Sequence, residues 1–272
     1  MHSFPTERAR LKVRNPSGDV RVQAEDVAET TVELVPLNDS DATRQAIEKA
    51  SVGARGDEVF VELDGRSWSI SIGSWGIGSP KVGVRITCPE GSTLECDTAS
   101  ADVEVSGTLG EARIRTASGD ATLDRVVGRL VTKSASGDVR VDQVEGPCSL
   151  STVSGDAHAH SVVGDLAINT VSGDVEVGGV TGDLTVLSVS GDQRVRAAGP
   201  GELAFKTVSG DVQVGIRRGL RVRLDVNSVS GSIGSDLDVS DTPGASGAPE
   251  AALRVRTVSG DVGIARSAEA IA

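Results

Sequence analysis

The sequence predicts an all-β protein, a parallel β-solenoid (β-helix) built from 18-residue coils of two strands each. Three observations carry this prediction: a short word recurs at fixed spacing, apolar and polar residues alternate on both sides of it, and aromatic residues are scarce. The 272 residues include only three Phe, two Trp and no Tyr. A chain with so little aromatic bulk needs a thin core, and the facing walls of a solenoid coil lie only about 10 Å apart.

The recurring word is SGD, usually within TVSGD. The Ser of this word or of a close variant lies at 100, 118, 136, 154, 172, 190, 209, 230 and 259, so five successive spacings are 18 residues and the last three are 19, 21 and 29. Residues 92–217 can be written as seven rows of eighteen with Pro200 as an insertion. Each position in a row is called a column below. A fixed period of this kind indicates a repeat architecture.

Columns three, five, twelve and fourteen are apolar. Leu166 and Ile168 are examples from the first pair, and Val175 and Val177 from the second, with the polar Glu176 between them. A spacing of two is typical of strands with one buried and one solvent-facing side. Because the two pairs are nine residues apart, each coil consists of two similar halves. That period excludes the left-handed helix of three hexapeptides, and right-handed crossovers are the default for parallel strands.

The two ends of the array differ from its middle. Residues 1–91 are predicted to form an N-terminal β-rich cap that contains the first solenoid-like strands, an early echo of the repeat (NPSGDVRVQA, 15–24) and a helix over about 40–52. The helix, with Trp68 or Trp75, is expected to cover the first coils. Residues 92–272 are predicted to form the solenoid, with a loop excursion at about 235–253.

Charge and composition narrow the class of partner. The formal net charge of −12, from 27 Lys and Arg against 39 Asp and Glu, predicts that the protein does not bind nucleic acid. The chain has no run of about 18 apolar residues and no apolar stretch at its start, which predicts no membrane insertion, no signal peptide and a cytoplasmic location. Three cysteines at unrelated spacings argue against a disulfide framework.

Column eleven supplies the one candidate site, a row of aspartates. Its members are Asp102, Asp120, Asp138, Asp156, Asp174, Asp192 and Asp211. Stacked carboxylates about 4.8 Å apart repel one another by roughly 1 kcal/mol even in water. Either Ca²⁺, as in β-roll proteins, or the N–H groups of the turn could offset this repulsion. A β-roll calcium site needs Asp at both turns of a coil, and here the second turn lacks a regular Asp. The N–H groups of the first turn are therefore the favoured explanation.

No other constellation indicates catalysis. Cys96 and Cys148 fall in inward columns and are predicted to be core residues, while His158 and His160 fall in outward columns without a third metal ligand. No Ser, His and Asp arrangement suits nucleophilic catalysis. The sequence therefore predicts no enzyme, no catalytic residues and no cofactor.

The chain resembles the bacterial putative-adhesin β-strand-repeat proteins, a family catalogued as a domain of unknown function. The resemblance rests on ASGDV and TVSGDV at the coils, CPEGSTLECDTASADVEVSGTLGEARIRTASGD at 88–120 and LDVNSVSGSIGS at 224–235, and it spans residues 10–266 approximately. It implies a β-solenoid with no established catalytic residues. Some relatives look like envelope or envelope-stress proteins.

These observations predict a non-enzymatic scaffold or protein-binding, adhesin-like protein. Self-association through the solenoid ends or an edge is expected to accompany or replace a protein partner. Three alternatives stay open at this point: a Ca²⁺-binding β-roll-like module that uses the Asp column, an envelope-stress-associated adhesin, and an enzyme with its site in the cap or in the 235–253 loop.

Overall fold

The computed structural model describes residues 1–63, 80–237 and 250–267, and Trp68 and Trp75 lie outside them. The chain divides into two compact units, Met1–Gly137 and Asp138–Ala272. Each unit consists of two sheets whose strands are mostly parallel. The predicted fold class, an all-β parallel β-solenoid with a cap that contains one short helix, is confirmed.

The first unit contains twelve strands and one helix among its described residues. They are β1 (His2–Pro5), β2 (Arg10–Asn15), β3 (Gly18–Glu25), β4 (Glu29–Pro36), α1 (Asp41–Glu48), β5 (Ser51–Arg55), β6 (Glu58–Glu62), β7 (Val82–Pro89), β8 (Thr93–Thr98), β9 (Asp102–Leu109), β10 (Glu111–Arg115), β11 (Ala121–Val126) and β12 (Leu130–Lys133). In one sheet the strand order is β1-β4-β7-β3-β9-β11, and in the other it is β5-β6-β2-β8-β10-β12. Strands β1, β4 and β5 pair antiparallel and close the cap end.

The early echo of the repeat forms a full coil. Strands β2 and β3 lie between β6–β7 and β8–β9, so the first coil along the chain is the second in space. Its residues are in register with the first regular row, with Leu11 opposite Leu94 and Asp19 opposite Asp102. The chain therefore leaves this coil, builds the outermost one with β6 and β7, and then resumes the regular stack.

Helix α1 belongs to the cap. Ser40 is its N-cap, and the Ser40 hydroxyl accepts a hydrogen bond from the Thr43 N–H at 3.1 Å. An N-cap of this type satisfies one of the N–H groups that the first turn leaves unpaired. Thr43 is buried, and the helix contacts β4 and β7. The helix therefore covers the sheet that contains the antiparallel cap strands.

The second unit contains thirteen strands among its described residues. They are β13 (Val139–Glu145), β14 (Cys148–Ser151), β15 (Ala157–Val163), β16 (Leu166–Asn169), β17 (Val175–Thr181), β18 (Leu184–Leu187), β19 (Gln193–Ala198), β20 (Gly201–Lys206), β21 (Val212–Ile216), β22 (Arg221–Ser230), β23 (Ile233–Ser235), β24 (Glu250–Ser259) and β25 (Val262–Arg266). The strand orders are β13-β15-β17-β19-β21-β25-β23 and β14-β16-β18-β20-β24-β22.

The last coil along the chain is also displaced from its place in the sequence. Strands β24 and β25 lie between β20–β21 and β22–β23, so β22 and β23 form the outermost coil of this unit. The chain between β23 and β24 joins these two coils where the excursion at 235–253 was predicted. That prediction was too long, because Ser235 belongs to β23 and residues 250–253 belong to β24. Residues 238–249 lie outside the described part of the chain.

The core of each coil consists of the four predicted apolar columns. In the second unit Leu166 and Ile168 are at most 1% exposed, and so are Val175 and Val177 on the facing sheet. The registers place such side chains on their counterparts in the next coil, which for Leu166 is Leu184, 18 residues away. Burial of one such aliphatic side chain contributes about 1.5–3 kcal/mol, so a stack of like coils is stable without aromatic residues.

One buried column contains a polar exception. Gln193 occupies column twelve between Val175 and Val212, and only 1% of it is exposed. Neither its amide nitrogen nor its amide oxygen has a hydrogen-bonding partner among the described residues. A buried amide without partners loses its hydrogen bonds to water and gains none within the protein, which lowers the free energy of unfolding.

Candidate functional site

The TVSGD word forms the corner at which one strand of a coil turns into the next. Its Thr points inward and is buried, and the Thr170 hydroxyl accepts a hydrogen bond from the Gly173 N–H at 3.0 Å. Thr152 and Gly155 repeat the same bond at 3.0 Å. This hydroxyl column therefore serves the turns of the coils from inside and is not presented to solvent.

The glycine of the corner lies against the corner of the next coil. A Cβ built on Gly173 would approach the carbonyl oxygen of Gly155 to 1.9 Å. Carbon and oxygen atoms cannot come that close without displacement of the backbone, which is here part of the ladder. The column therefore requires glycine for steric reasons.

The aspartates of the corner bond to one another through the backbone. In the first unit the Asp120 N–H donates to Asp102 Oδ1 at 3.0 Å. In the second unit each Asp N–H donates to Oδ1 of the preceding Asp at 2.8–2.9 Å, in the order Asp156 to Asp138, Asp174 to Asp156, Asp192 to Asp174, Asp211 to Asp192 and Asp261 to Asp211. The N–H dipole between successive carboxylates offsets their repulsion.

The predicted metal role of this row has no further support from its geometry. Within the described ranges, no group of three or more His, Cys, Asp or Glu side chains is arranged to hold a metal ion. One oxygen of each bonded aspartate is already engaged by a backbone N–H. The Ca²⁺-binding module stays a prediction.

The row ends at Asp261, beneath the outermost coil. Its Oδ1 accepts hydrogen bonds from the N–H and the hydroxyl of Ser232, both at 2.8 Å. The Ser232 backbone bond, and then its hydroxyl bond, hold the pKa of Asp261 below its ordinary value. The outermost coil is therefore linked to the ionised form of this carboxylate.

We expect Ser232→Ala to raise the pKa of Asp261 towards its ordinary value, because one of the two bonds is lost. Since the folded-state pKa is depressed, the stabilisation is present above the unfolded-state pKa and is lost as pH falls through the folded-state pKa. The stability difference between wild type and Ser232→Ala should therefore shrink with acidification. A ¹³C carboxyl titration by NMR measures the pKa, and Ser259→Ala, whose hydroxyl makes no bond to this carboxylate, is the control. An unchanged pKa in Ser232→Ala would contradict the assignment.

Outside the corner, the residue that follows the Thr forms an exposed apolar row. In the second unit this row consists of Val153, Val171, Val189, Val208, Val258 and Val229, which are 43–78% exposed. We call it the valine ridge. In the first unit the same column contains alanine at 99, 117 and 135. The ridge could have been predicted from the sequence. Side chains alternate between the two faces of a strand, so the residue directly after the inward-facing Thr must point outward.

The backbone of the valine ridge is fixed from coil to coil. The Val153 carbonyl accepts the Ser172 N–H at 2.9 Å, and the Val171 carbonyl accepts the Ser190 N–H at 2.8 Å. The same bond recurs at Val189 and Val208. Stacked at about 4.8 Å per coil, the six valines form an apolar line about 24 Å long. Exposed apolar groups held in a continuous, rigid line are typical of binding surfaces.

The three cysteines are buried thiols without nucleophilic character. Desolvation raises the pKa of Cys88 to about 11 and that of Cys148 to about 12, and it raises the pKa of Cys96 further. A thiolate is the reactive form, so these residues pack as small apolar side chains. His158 lies on the outer face, where its Nδ1 is 3.2 Å from Glu176.

A groove of about 540 Å³ lies on the outer face of the second unit. Gly215 and Gly263 form part of its floor, and Arg194, Arg196 and Arg266 line it. Each of these arginines donates to a protein acceptor, respectively a glutamine side chain, a glutamate carboxylate and backbone carbonyls. The lining includes no His or Cys among the described residues. Asp236 and Ser267 also line it.

The two sheets and the backbone-linked corners define a parallel β-solenoid repeat protein. A model of the Toastrack DUF4097 family matches residues 4–162 and again residues 158–265. The chain therefore belongs to the Toastrack DUF4097 family, which confirms the resemblance to a family of unknown function seen in the sequence. In the described residues, no helix is long and apolar enough to span a membrane.

Solved structures similar to this chain include two described as putative adhesins. One is from Bacteroides fragilis NCTC 9343, at 12% identity, 96% coverage of this chain, 95% of that chain and a TM-score of 0.48. The other is from Parabacteroides distasonis ATCC 8503, at 11% identity, 97% and 95% coverage and a TM-score of 0.43. A protein of the latter organism described as a putative lipid binding protein matches at 11% identity, 97% and 95% coverage and a TM-score of 0.42. No curated protein sequence matches the chain.

Proposed function

We propose that this protein is a non-enzymatic, adhesin-like scaffold that binds a protein partner along the valine ridge. The observation that carries the proposal is the ridge itself, six exposed valines held in one line by backbone hydrogen bonds. Valine at these positions contributes nothing to the core, because the side chains point away from it. Contact between these apolar side chains and water is unfavourable in free energy, and a partner that covers them would remove that contact.

The charge beside the ridge selects the partner. Three residues after five of the six ridge valines stands a corner aspartate, and Ser232 takes this place after Val229. Of these aspartates, Asp156, Asp174, Asp192 and Asp211 have no Lys or Arg partner among the described residues. An apolar line beside a line of carboxylates complements a segment that presents apolar and basic side chains together. A line about 24 Å long matches roughly seven residues of an extended chain.

A synthetic peptide tests this proposal. We expect a ten-residue peptide of alternating Val and Lys to bind wild-type protein at least tenfold more tightly than its Val and Glu counterpart, measured by fluorescence anisotropy. The triple variant Val171→Ser, Val189→Ser and Val208→Ser should weaken binding of the Val and Lys peptide at least tenfold, because the apolar line is interrupted at its centre.

A matched control separates the ridge from general attraction to an acidic protein. Val127 and Val163 are 43% and 56% exposed but lie outside the ridge. The double variant Val127→Ser and Val163→Ser should bind the Val and Lys peptide as wild type does. Equal binding of both peptides, or equal binding by wild type and the triple variant, would refute the proposal.

A further inference from the structure

In the part of the chain that the structure describes, strand β22 is the last strand of its sheet and is paired on one side only. Its inward side chains Val222, Leu224 and Val226 lie on Ala251, Leu253 and Val255 of β24. The β24 residues are at most 1% exposed, whereas Leu224 is 37% exposed. Among the described residues, β24 is the one strand that pairs with β22. The apolar interior of the coil is therefore incompletely covered at this end.

The open edge of β22 presents the backbone of its apolar residues. The Thr207 N–H donates to the Arg256 carbonyl at 3.0 Å, and β20 and β24 stay in regular register over residues 251–256. Even-numbered residues of this part of β24 therefore direct their backbone groups to the preceding coil. Odd-numbered residues such as Leu253 direct theirs to β22. In a parallel pair, a residue such as Leu253 forms its hydrogen bonds with the two residues on either side of the one directly opposite, and not with the opposite residue itself. The N–H and C=O groups of Val222, Leu224 and Val226 consequently face the open edge.

The sequence of this edge is complementary to itself when reversed. Residues 222–226 read Val-Arg-Leu-Asp-Val. In an antiparallel pair centred on Leu224, each Val222 meets a Val226, the two Leu224 meet each other, and each Arg223 meets an Asp225. The apolar pairs share the inner face and the charge pairs share the outer face, because side chains alternate along a strand.

From this register we infer that a second copy of the chain pairs its β22 antiparallel with the first, across a two-fold axis at Leu224. The backbone groups at the edge then form hydrogen-bonded pairs at Val222, Leu224 and Val226. Arg223 and Asp225 fall at the intervening positions, where opposed Cα atoms are only about 4.5 Å apart and the side chains are closest. None of the paired residues 222–226 belongs to the valine ridge, although Val229 at the end of the ridge lies on the same strand.

Neighbouring residues fit the same arrangement. The Arg254 Nε is 3.3 Å from Asp225 Oδ2, so the carboxylate would lie between an arginine of its own chain and Arg223 of the copy. Arg223 lies 3.7 Å from the Glu250 carboxylate of its own chain. Arg223 and Asp225 are nevertheless 77% and 60% exposed, so a partner can reach both. On the facing sheet, Ile233 of the outermost strand β23 is 50% exposed and would add to the shared apolar interior.

Charge reversal in two separate chains tests the pairing. We expect wild-type protein to be a dimer by sedimentation equilibrium at 100 µM, on the order of the concentrations that weak interfaces require. Arg223→Asp and Asp225→Arg should each weaken the dimer at least tenfold, because each places like charges opposite one another twice. An equimolar mixture of the two variants should restore the dimer, since every cross-strand pair is then of opposite charge. Circular dichroism should show both variants folded.

A cysteine placed on the axis gives a second readout. Leu224→Cys should crosslink to itself under mild oxidation, because residues directly opposite in a strand pair lie within the roughly 4.4–6.8 Å Cα separation of a disulfide. Val222→Cys should not, because its own copy lies four residues away along the partner strand. The inference is overturned if wild type is a monomer, if the charge variants dimerise unchanged, if their mixture stays monomeric, or if Val222→Cys crosslinks as readily as Leu224→Cys.

Discussion

Gly173→Ala should destabilise the protein by about 3 kcal/mol or more, an effect at the upper end of overpacking in a close-packed interior. The added methyl would stand 1.9 Å from the carbonyl oxygen of Gly155, so the two coils must separate or shift. Both responses strain the bonds nearby, which include the Thr170 hydroxyl to the Gly173 N–H and the Asp174 N–H to Asp156. Urea denaturation followed by circular dichroism measures the loss.

The control is the same substitution at a glycine of the same unit that has space around it. A Cβ on Gly263 would meet its nearest neighbour, the Gln213 side chain, at 3.9 Å. We expect Gly263→Ala to change the free energy of unfolding by less than about 0.5 kcal/mol, as surface substitutions usually do. If Gly173→Ala were as harmless as Gly263→Ala, the close stacking of the corners would be wrong.

Gln193→Val should stabilise the protein, by about 1–3 kcal/mol, which is the usual cost of a buried polar group left without partners. Valine already occupies this column in the adjacent coils, at Val175 and Val212, so it can be accommodated between them. The variant removes the amide and adds nothing larger than the side chain it replaces. An upward shift of the urea midpoint with an unchanged slope is the expected result.

Gln213→Val is the matched control for this gain. Gln213 directly follows Val212 on the strand next to that of Gln193. Its side chain faces solvent and accepts a hydrogen bond from Arg194 at 3.1 Å. Its replacement exposes an apolar side chain and should leave stability within about 0.5 kcal/mol of wild type. A loss of stability in Gln193→Val would mean that the buried amide contributes favourable interactions and would contradict the cost assigned to it.

Local periodicity was sufficient to predict the coil and its interior. Residues such as Leu166 and Val175 alternate with polar neighbours, and a strand period of two leaves no other face for them. Equal spacing of the corner word fixed which residues stack on which. The short helix was predicted from three candidate N-cap residues, Asp39, Ser40 and Asp41, and the apolar residues after them, because those signals are local.

The order of the coils at the two ends could not be predicted in this way. A strand can pair equally well with a parallel strand 18 residues away or with one much further along the chain, because both have the same alternation of apolar and polar residues. The coil of β2 and β3 and the coil of β24 and β25 are therefore inserted next to partners that sequence order does not indicate. The copy of the repeat at 15–24 was the one indication in the sequence that this segment joins the stack, and in the structure its Asp19 lies opposite Asp102.

The meaning of the corner word changed when side-chain direction was known. From sequence, the aspartate of TVSGD was the candidate metal ligand, with the N–H groups of the turn as the favoured partners of its carboxylate. In the structure one aspartate oxygen is engaged in holding the next corner, while the valine projects from a backbone fixed by hydrogen bonds. The column pattern is sufficient to place the valine on the outside and to favour turn N–H groups as partners of the aspartate. The bonds that join one corner to the next could not be predicted, because they depend on contacts between coils.

The most direct test of this account is a methyl NMR titration of the protein with the Val and Lys peptide. We expect the largest shift changes on the methyl groups of Val171, Val189 and Val208, at the centre of the valine ridge. We expect little change at Val127 and Val163, which are similarly exposed outside the ridge. Shift changes concentrated in the groove over Gly215 and Gly263, or spread evenly over all exposed valines, would contradict the claim that the corner of the coil is the binding surface.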